Sequence, residues 1–258
     1  MNKPTTESLV QLFNDLKLKH MAETLSAELP TLPLAEQNTV LRHLSRWAET
    51  EKAERQAALI QNRIRNARFQ RIQTVDGFDF AYSKATKAIE RSYTTLHQNL
   101  TKDCLPSAVF AGNAGLGKTH LARALGYAAC QKGISTLFTT AAQMVNHLAH
   151  AQKAFVLESE LQKYRRPLVL ICDELGYVQM DVQASNLFFQ VISARHDAGS
   201  GTIATTNLPF GKWNQIFAND AIAHAIVDRL VSAAEVFYLE GTSYREYQRQ
   251  LKIRAQKA

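Results

Sequence analysis

The chain has 258 residues, of which 46% are hydrophobic and 21% charged, a balance that excludes a disordered or collagen-like chain. Lysine and arginine (30) exceed aspartate and glutamate (23) by seven. Up to Asp103 there are 15 basic and 12 acidic residues, and after it there are 15 basic and 11 acidic residues. The positive charge is therefore spread evenly and points only weakly to an anionic partner such as nucleic acid.

Membrane and secretory proteins are the next classes that the sequence disfavours. No apolar run approaches the ~18 residues that a membrane span needs, and the first ten residues lack the apolar stretch of a secretory signal. Three scattered cysteines form no CxxC pair. An odd number without metal-ligand spacing favours reduced thiols, so we expect a cytoplasmic protein with no membrane partner.

The first 71 residues are predicted to form a small all-helical domain. Apolar residues at i, i+3 and i+4 spacing fit an amphipathic helix over residues 7–25, which the prolines at 30 and 33 bring to an end. A longer helix is expected from about residue 34 to 69. Its second half carries five arginines with no acidic residue between the first and the last, namely Arg55, Arg63, Arg65, Arg68 and Arg71. We place the domain boundary near Arg71, which gives domains 1–71 and 72–258.

Residues 72–258 alternate between predicted strands and helices. Apolar or β-branched runs predict strands at 108–110, 134–140, 167–172, 202–206 and 235–239. Helices are expected between them, at 118–131, 141–152 and 181–196. This βαβ series predicts an α/β domain with a mostly parallel sheet.

The strongest motif is GNAGLGKT at residues 112–119, which fits GxxxxGK[ST] in full between an apolar strand and a helix. The glycines let backbone N–H groups turn inward around phosphates, Lys118 supplies a charge, and the Thr119 hydroxyl can ligate Mg²⁺. The alternative to a nucleotide-binding loop is a glycine-rich turn that only caps a helix. Such a turn does not need the complete motif. The expected nucleotide-binding residues are Gly112, Asn113, Ala114, Gly115, Leu116, Gly117, Lys118, Thr119 and His120.

A second acidic site follows 55 residues after Lys118, where an apolar strand ends in Asp173 and Glu174. An Asp at the end of a strand beside the phosphate loop can hold Mg²⁺, and an adjacent Glu can polarise the attacking water. A dipole-favoured acidic pair at a helix start is the alternative. The DxxG pattern here also fits a GTPase, but the chain has no NKxD element late in its sequence, so ATP is the expected nucleotide.

Polar residues further along the chain can complete such a site. Asn207 follows the strand at 202–206 and can position the lytic water, although taken alone it is more often a cap or turn residue. Arg229 and Arg245 can stabilise the negative charge of the transition state, and such an arginine can come from a neighbouring subunit. Taken alone, either arginine is more often a surface ion-pair partner.

Together these motifs resemble the AAA+ family, and within it the IstB-type helper ATPases of insertion-sequence transposons, relatives of the DnaC helicase loaders. The resemblance extends from residue 16 to 245. One departure lies in the phosphate loop, where the family commonly has Pro-Pro-Gly-Thr and this chain has Asn-Ala-Gly-Leu. The matching stretches are FDF (78–80), GNAGLGKTHLARALG (112–126), LICDELGYV (170–178), LFFQVISAR (187–195), TTNLPFGKW (205–213), DRL (228–230) and GTSYR (241–245).

The resemblance implies an AAA+ P-loop core preceded by a small helical domain. It also implies an ATP-hydrolysing homo-oligomer that assembles on double-stranded DNA, deforms it, and presents target sites to the transposase of the same element. Glu174 then activates water, Asn207 corresponds to the sensor-1 position and Arg229 to an arginine finger acting in trans, while the role of Arg245 stays open.

Three hypotheses for the function remain open. The first is the transposition helper, the second a DnaC-like loader of a replicative helicase, and the third a small-molecule kinase with the same phosphate loop. The arginines before residue 72 and the basic C-terminal residues can track DNA phosphates, and the alternative for each is a solvated helix face. Phosphate contacts carry no sequence information, so weak target specificity and steep salt dependence are expected.

Overall fold

The computed structural model describes residues 5–241 together with residues 243, 244, 246, 247, 249 and 253. Contacts divide the chain into two compact units, Met1–Gln61 and Asn62–Ala258. The domain boundary near Arg71, by contrast, separates domains that would each fold on their own. It stays a prediction. No helix in the described part of the chain is long and apolar enough to span a membrane.

The first unit contains the helices α1 (Thr6–Asp15) and α2 (Lys19–Glu28) and most of α3 (Leu34–Asn66), whose last five residues belong to the second unit. The single helix predicted over residues 7–25 is wrong, because Lys17 adopts a left-handed backbone (φ 59°) and ends α1. The amide of Lys17 donates to the Asn14 carbonyl, and that of Leu18 to the Phe13 carbonyl, which is the Schellman pattern of a helix end. A glycine usually marks this position, so the apolar spacing alone conceals the turn.

The second unit is an α/β domain. Its elements are α4 (Lys84–Gln98), β1 (Ala108–Gly112), α5 (Lys118–Gln131), β2 (Thr136–Thr140), α6 (Ala141–Lys153), α7 (Leu157–Arg165), β3 (Val169–Leu175), α8 (Val182–Asp197), β4 (Gly201–Thr206), α9 (Asp220–Val231) and β5 (Glu235–Leu239). The five strands form one sheet in the order β2-β3-β4-β1-β5, and every neighbouring pair is parallel. The predicted parallel sheet is confirmed.

Alternating side chains of the strands build a hydrophobic core on each face of the sheet. Val109, Leu170 and Ala204 pack with helices α6 to α9, whereas Phe110 and Ile171 pack with α4 and α5 on the opposite face. Strands that are buried on both faces read as continuous apolar runs, which is why β1 and β3 were visible in the sequence.

The strand that carries Asp173 and the strand that leads into the phosphate loop are not neighbours in the sheet, because β4 lies between β3 and β1. Helix α5 crosses this part of the sheet and contacts β1, β4 and β3, so the start of the helix still reaches the carboxyl end of β3. The acidic residues and the phosphate loop therefore meet across an intervening strand.

Arg195 on α8 is an unusual core residue, because its side chain is fully buried and has no carboxylate partner in the described part of the chain. Burial lowers the pKa of Arg195 to about 10, so the guanidinium is still charged at neutral pH. The guanidinium donates to the Thr202 hydroxyl and to a set of backbone carbonyls. The carbonyls are those of Tyr164, Arg165, Pro167, Leu168 and Gly201. This fork connects α7, α8, the loop that precedes β3 and the start of β4.

We therefore expect Arg195→Lys to destabilise the second unit although the charge is kept. A lysine ammonium has three donors at one point and cannot reach carbonyls on both sides, and a carbonyl that loses a charged donor costs about 1.5–3 kcal/mol. Denaturant unfolding should show a loss of at least about 3 kcal/mol. The matched change at the exposed Arg91 should stay within about 0.5 kcal/mol, and an equal effect of both variants would contradict the role given to Arg195.

Candidate functional site

A cavity of about 630 Å³ opens at the carboxyl edge of the sheet, within the range of small-ligand sites. The phosphate loop forms its floor, and the ends of β3 and β4 form one wall. The predicted site residues that line it are Ala114, Gly115, Leu116, Gly117, Lys118, Thr119, His120, Asp173, Glu174 and Asn207. Residues distant in sequence thus converge on one pocket, as the motifs predicted.

The phosphate loop depends on glycines with a left-handed backbone. Gly112 and Gly117 have φ angles of 140° and 84°, and a Cβ at Gly112 would lie 1.8 Å from the Leu239 carbonyl oxygen. The Lys118 ammonium donates to the carbonyls of Gly112 and Asn113, at 2.7 Å each. Burial lowers the pKa of Lys118, and the negative charge of Asp173 opposes this shift. The loop therefore holds a partly desolvated cation at the start of α5, which suits a polyphosphate.

Asp173 lies at the other side of the loop and is almost fully buried, with 2% of its surface exposed. Its Oδ1 atom accepts from the Thr119 hydroxyl at 2.8 Å and from the Thr205 hydroxyl. One carboxylate and one hydroxyl fit Mg²⁺, which usually completes its shell with water and substrate phosphates. In the described part of the chain, no three or more His, Cys, Asp or Glu side chains group as a metal site by themselves.

Glu174 has a strained backbone that aims its side chain outward. Its φ of 61° is left-handed, which is uncommon for a residue other than glycine. The ladder between β3 and β4 shifts register between Cys172 and Leu175, and the Glu174 amide donates to the Thr205 hydroxyl at 3.0 Å. Glu174 is exposed while its neighbours on β3 are buried. Such strain is often kept at functional sites, and here it presents a carboxylate to the pocket.

Asn207 follows β4 directly and lines the same pocket. Its buried Oδ1 atom has no hydrogen-bond partner among the described residues. Gly176 (φ 104°) approaches it so closely that a Cβ there would lie 3.1 Å from this oxygen. A buried acceptor without a partner is uncommon and suits a site that takes up water or a ligand.

Several residues of the pocket were missed by the sequence analysis. The segment between α3 and α4 contributes Gln70, Arg71 and Gln73, and α5 contributes Arg123. The Arg123 guanidinium donates to the side-chain oxygens of Gln70 (3.1 Å) and Gln73 (3.5 Å). Burial lowers the pKa of Arg123, while Asp173, and then Glu174, act in the opposite direction. The one available signal was that Arg123 follows Thr119 by four residues and so shares its helix face.

Aromatic residues form another missed part of the pocket, and they include Phe78, Tyr82 and Tyr244. The Tyr82 and Tyr244 rings meet edge to face with centroids 4.9 Å apart. The Tyr244 amide donates to the Gly115 carbonyl at 3.0 Å, which brings the GTSYR motif onto the phosphate loop. Arg245, the next residue, lies outside the described residues.

His120 and Arg229 complete the predicted set. His120 lines the pocket, and its Nε2 atom lies 2.9 Å from the Thr74 carbonyl oxygen. Arg229 is not among the residues that line the pocket. Its guanidinium donates to the Ser193 hydroxyl and the Ala225 carbonyl, both at 3.1 Å, and lies over the Phe189 ring at 4.9 Å. Arg229 is therefore separate from the nucleotide pocket of its own chain.

Comparison with known proteins agrees with this geometry. A family model described as IstB-like ATP binding protein matches residues 11–252. The chain belongs to this family. It is 36% identical over 214 residues to the ATP-binding protein of insertion sequence IS5376 from Geobacillus stearothermophilus, covering 83% of this chain and 84% of that protein. It is 31% identical to the ATP-binding protein of IS232 from Bacillus thuringiensis, covering 94% and 96%.

Solved structures share the fold of this IstB-like protein. A crystal structure of the DnaC helicase loader superposes with a TM-score of 0.58 at 20% identity, covering 64% of this chain and 96% of that one. At this identity the likeness concerns the fold alone. The AAA+ P-loop core and the ATP-binding assignment expected from the motifs are confirmed.

Proposed function

We propose that this IstB-like protein is an ATP-hydrolysing homo-oligomer that assembles on double-stranded DNA, deforms that DNA and presents target sites to the transposase of its element. The single observation that carries hydrolysis is Glu174, a carboxylate turned into the nucleotide pocket by a strained backbone. The transposition context is supported by relatives that are named as insertion-sequence proteins.

The binding half of the reaction rests on the phosphate loop. Lys118 and the loop amides would hold the β- and γ-phosphates, and Thr119 and Asp173 would hold Mg²⁺. When bound, Mg²⁺ neutralises developing charge on the phosphate oxygens. The desolvated surroundings of Lys118 strengthen its attraction for phosphate, since charges interact more strongly away from water.

The hydrolytic half rests on two residues that end neighbouring strands. Glu174 would accept a proton from the attacking water, and the unpartnered Oδ1 of Asn207 would help to orient that water. A kinase of small molecules needs no such carboxylate, so this pair favours release of phosphate to water.

Arg229 is proposed to act on the pocket of a neighbouring subunit. Its separation from the pocket of its own chain, and its position on α9 against α8, suit a residue that contributes in trans. A guanidinium supplied in this way ties hydrolysis to assembly.

DNA binding is supported by exposed arginines in the described segment before residue 72. Arg65, Arg68 and Arg71 are exposed and have no ion pair among the described residues, whereas Arg55 is paired with Glu51. Of the basic C-terminal residues, only Arg249 is described; Lys252, Arg254 and Lys257 lie outside the described residues.

A DnaC-like helicase loader is the second candidate, because the sequence motifs resemble a family that is related to the DnaC loaders. Affinity capture with the full chain separates the two functions. Retention of the element's transposase, with no retention of a replicative helicase, supports the transposition helper, and the reverse result supports the loader.

The Glu174→Gln variant is expected to bind ATP normally and to lose turnover by about 10²–10⁴-fold, because the amide cannot take the proton from water. Its complex with duplex DNA should persist longer than that of the unaltered protein. Phosphate release and ATP-analogue binding measure the two effects. Glu235→Gln, a change of an exposed glutamate on β5, is the control and should leave both unchanged. Normal turnover of Glu174→Gln would exclude the water-activating role.

Mixing subunits tests the trans role of Arg229. Arg229→Ala subunits are expected to lose at least about 10³-fold in turnover, and Lys118→Ala subunits to bind no ATP. A mixture should regain activity, because the second variant still supplies Arg229 to pockets of the first. Mixing Arg229→Ala with the Lys118→Ala/Arg229→Ala double variant is the control and should restore nothing. If neither mixture regains activity, Arg229 does not act in trans.

A further inference from the structure

A second cavity, of about 760 Å³, lies in the same unit at the β2 edge of the sheet. We call it the basic groove and define it by four residues that line it, Arg65, Arg68, His147 and Lys163. Hydroxyl groups of Ser135, Thr136, Thr139 and Tyr164 lie among the lining residues, and no carboxylate does. The groove therefore offers cations and neutral hydrogen-bonding groups to a ligand.

The two arginines are held close together by the turn that follows α3. Arg68 has a left-handed backbone (φ 59°), and its amide donates to the Arg65 carbonyl at 3.2 Å. The next contact fixes this turn on the sheet edge, since the Phe138 amide on β2 donates to the Ala67 carbonyl at 2.8 Å. Both arginines are exposed, and neither has an ion pair in the described part of the chain. Their charge is thus available to a ligand.

Glu160, an acidic residue that contacts two of the lining side chains, is already engaged. It forms an ion pair with Lys163 and lies 2.7 Å from the Nε2 atom of His147. The Nδ1 atom of His147 lies 2.7 Å from the Tyr164 hydroxyl. Burial raises the pKa of Tyr164 to about 12, so this hydroxyl keeps its proton and can donate to Nδ1. Glu160 therefore balances Lys163 and leaves the arginines uncompensated.

The basic groove shares a wall with the nucleotide pocket. Gln70 lines both cavities, and it accepts from Arg123 of the nucleotide pocket at 3.1 Å. The Arg123 guanidinium lies over the ring of Phe138, which lines the groove, at 4.6 Å. A ligand in one cavity can thus affect the other through a single layer of side chains.

We propose that the basic groove binds phosphates of the DNA backbone and that its shared wall couples this contact to the nucleotide pocket. The identity of the polyanion rests on the proposed function. Phosphodiesters suit the groove because guanidinium groups pair with phosphate oxygens, and because the arginines stand exposed where a long ligand can pass. A free phosphate anion would be recognised by the same chemistry. The experiment must therefore distinguish free phosphate from the phosphates of DNA.

The test compares two double variants of the full chain, saturated with AMPPCP, on a labelled duplex over a range of KCl concentrations. Arg65→Gln/Arg68→Gln should make the slope of log K against log[KCl] shallower by about 1.8 per bound subunit, the value for two phosphate contacts. AMPPCP affinity should fall less than DNA affinity. Arg91→Gln/Lys102→Gln removes equal charge from exposed sites elsewhere and should leave the slope unchanged.

Two outcomes overturn the proposal. An equal slope change in both double variants would mean a general charge effect. An unchanged slope in Arg65→Gln/Arg68→Gln, with loss of inorganic pyrophosphate binding at matched ionic strength, would mean a site for free anions. Absence of any DNA binding by the unaltered protein would instead contradict the proposed function itself.

Discussion

The buried carboxylate of Asp173 is the constraint on which the rest of the site depends. A buried charge is tolerated only where hydrogen bonds replace water, and Asp173 has two hydroxyl donors, Thr119 and Thr205. Thr119 lies in the first turn of α5, and Thr205 lies near the end of β4. A single carboxylate therefore fixes the loop, β3 and β4 relative to one another, although β4 separates β3 from the strand of the loop.

The other groups that we propose to be catalytic take their positions from this arrangement. The Thr205 hydroxyl also accepts a hydrogen bond from the Glu174 amide. This bond gives the strained backbone a partner and keeps the Glu174 carboxylate in the pocket. Asn207 follows two residues later and brings an unpartnered oxygen to the same place. Arg123 extends the network outward, since it contacts Gln70 on the wall that the nucleotide pocket shares with the basic groove. Nucleotide chemistry and DNA contact are thus proposed to be connected through side chains in direct contact.

Local signals made much of this structure predictable. Helix α5 has the bounds that were expected from the sequence, and residues of the phosphate loop line one pocket with Asp173, Glu174 and Asn207. The strand order was not predictable, because it is set by packing between distant segments. The same holds for the contact of Arg123 with Gln70, which joins residues 53 positions apart. The left-handed turn at Lys17 lacked its usual glycine, and the buried cation of Arg195 has no pattern that distinguishes it from a surface arginine.

The central claim is that ATP binding assembles the protein on DNA. Electron microscopy of the full chain with duplex DNA, with and without a non-hydrolysable ATP analogue, tests it most directly. We expect ordered assemblies of many subunits on bent DNA when the analogue is present, and none without it or with Lys118→Ala, since the phosphate loop then holds no nucleotide. Isolated subunits on straight DNA in the presence of the analogue, or identical assemblies in its absence, would contradict the claim.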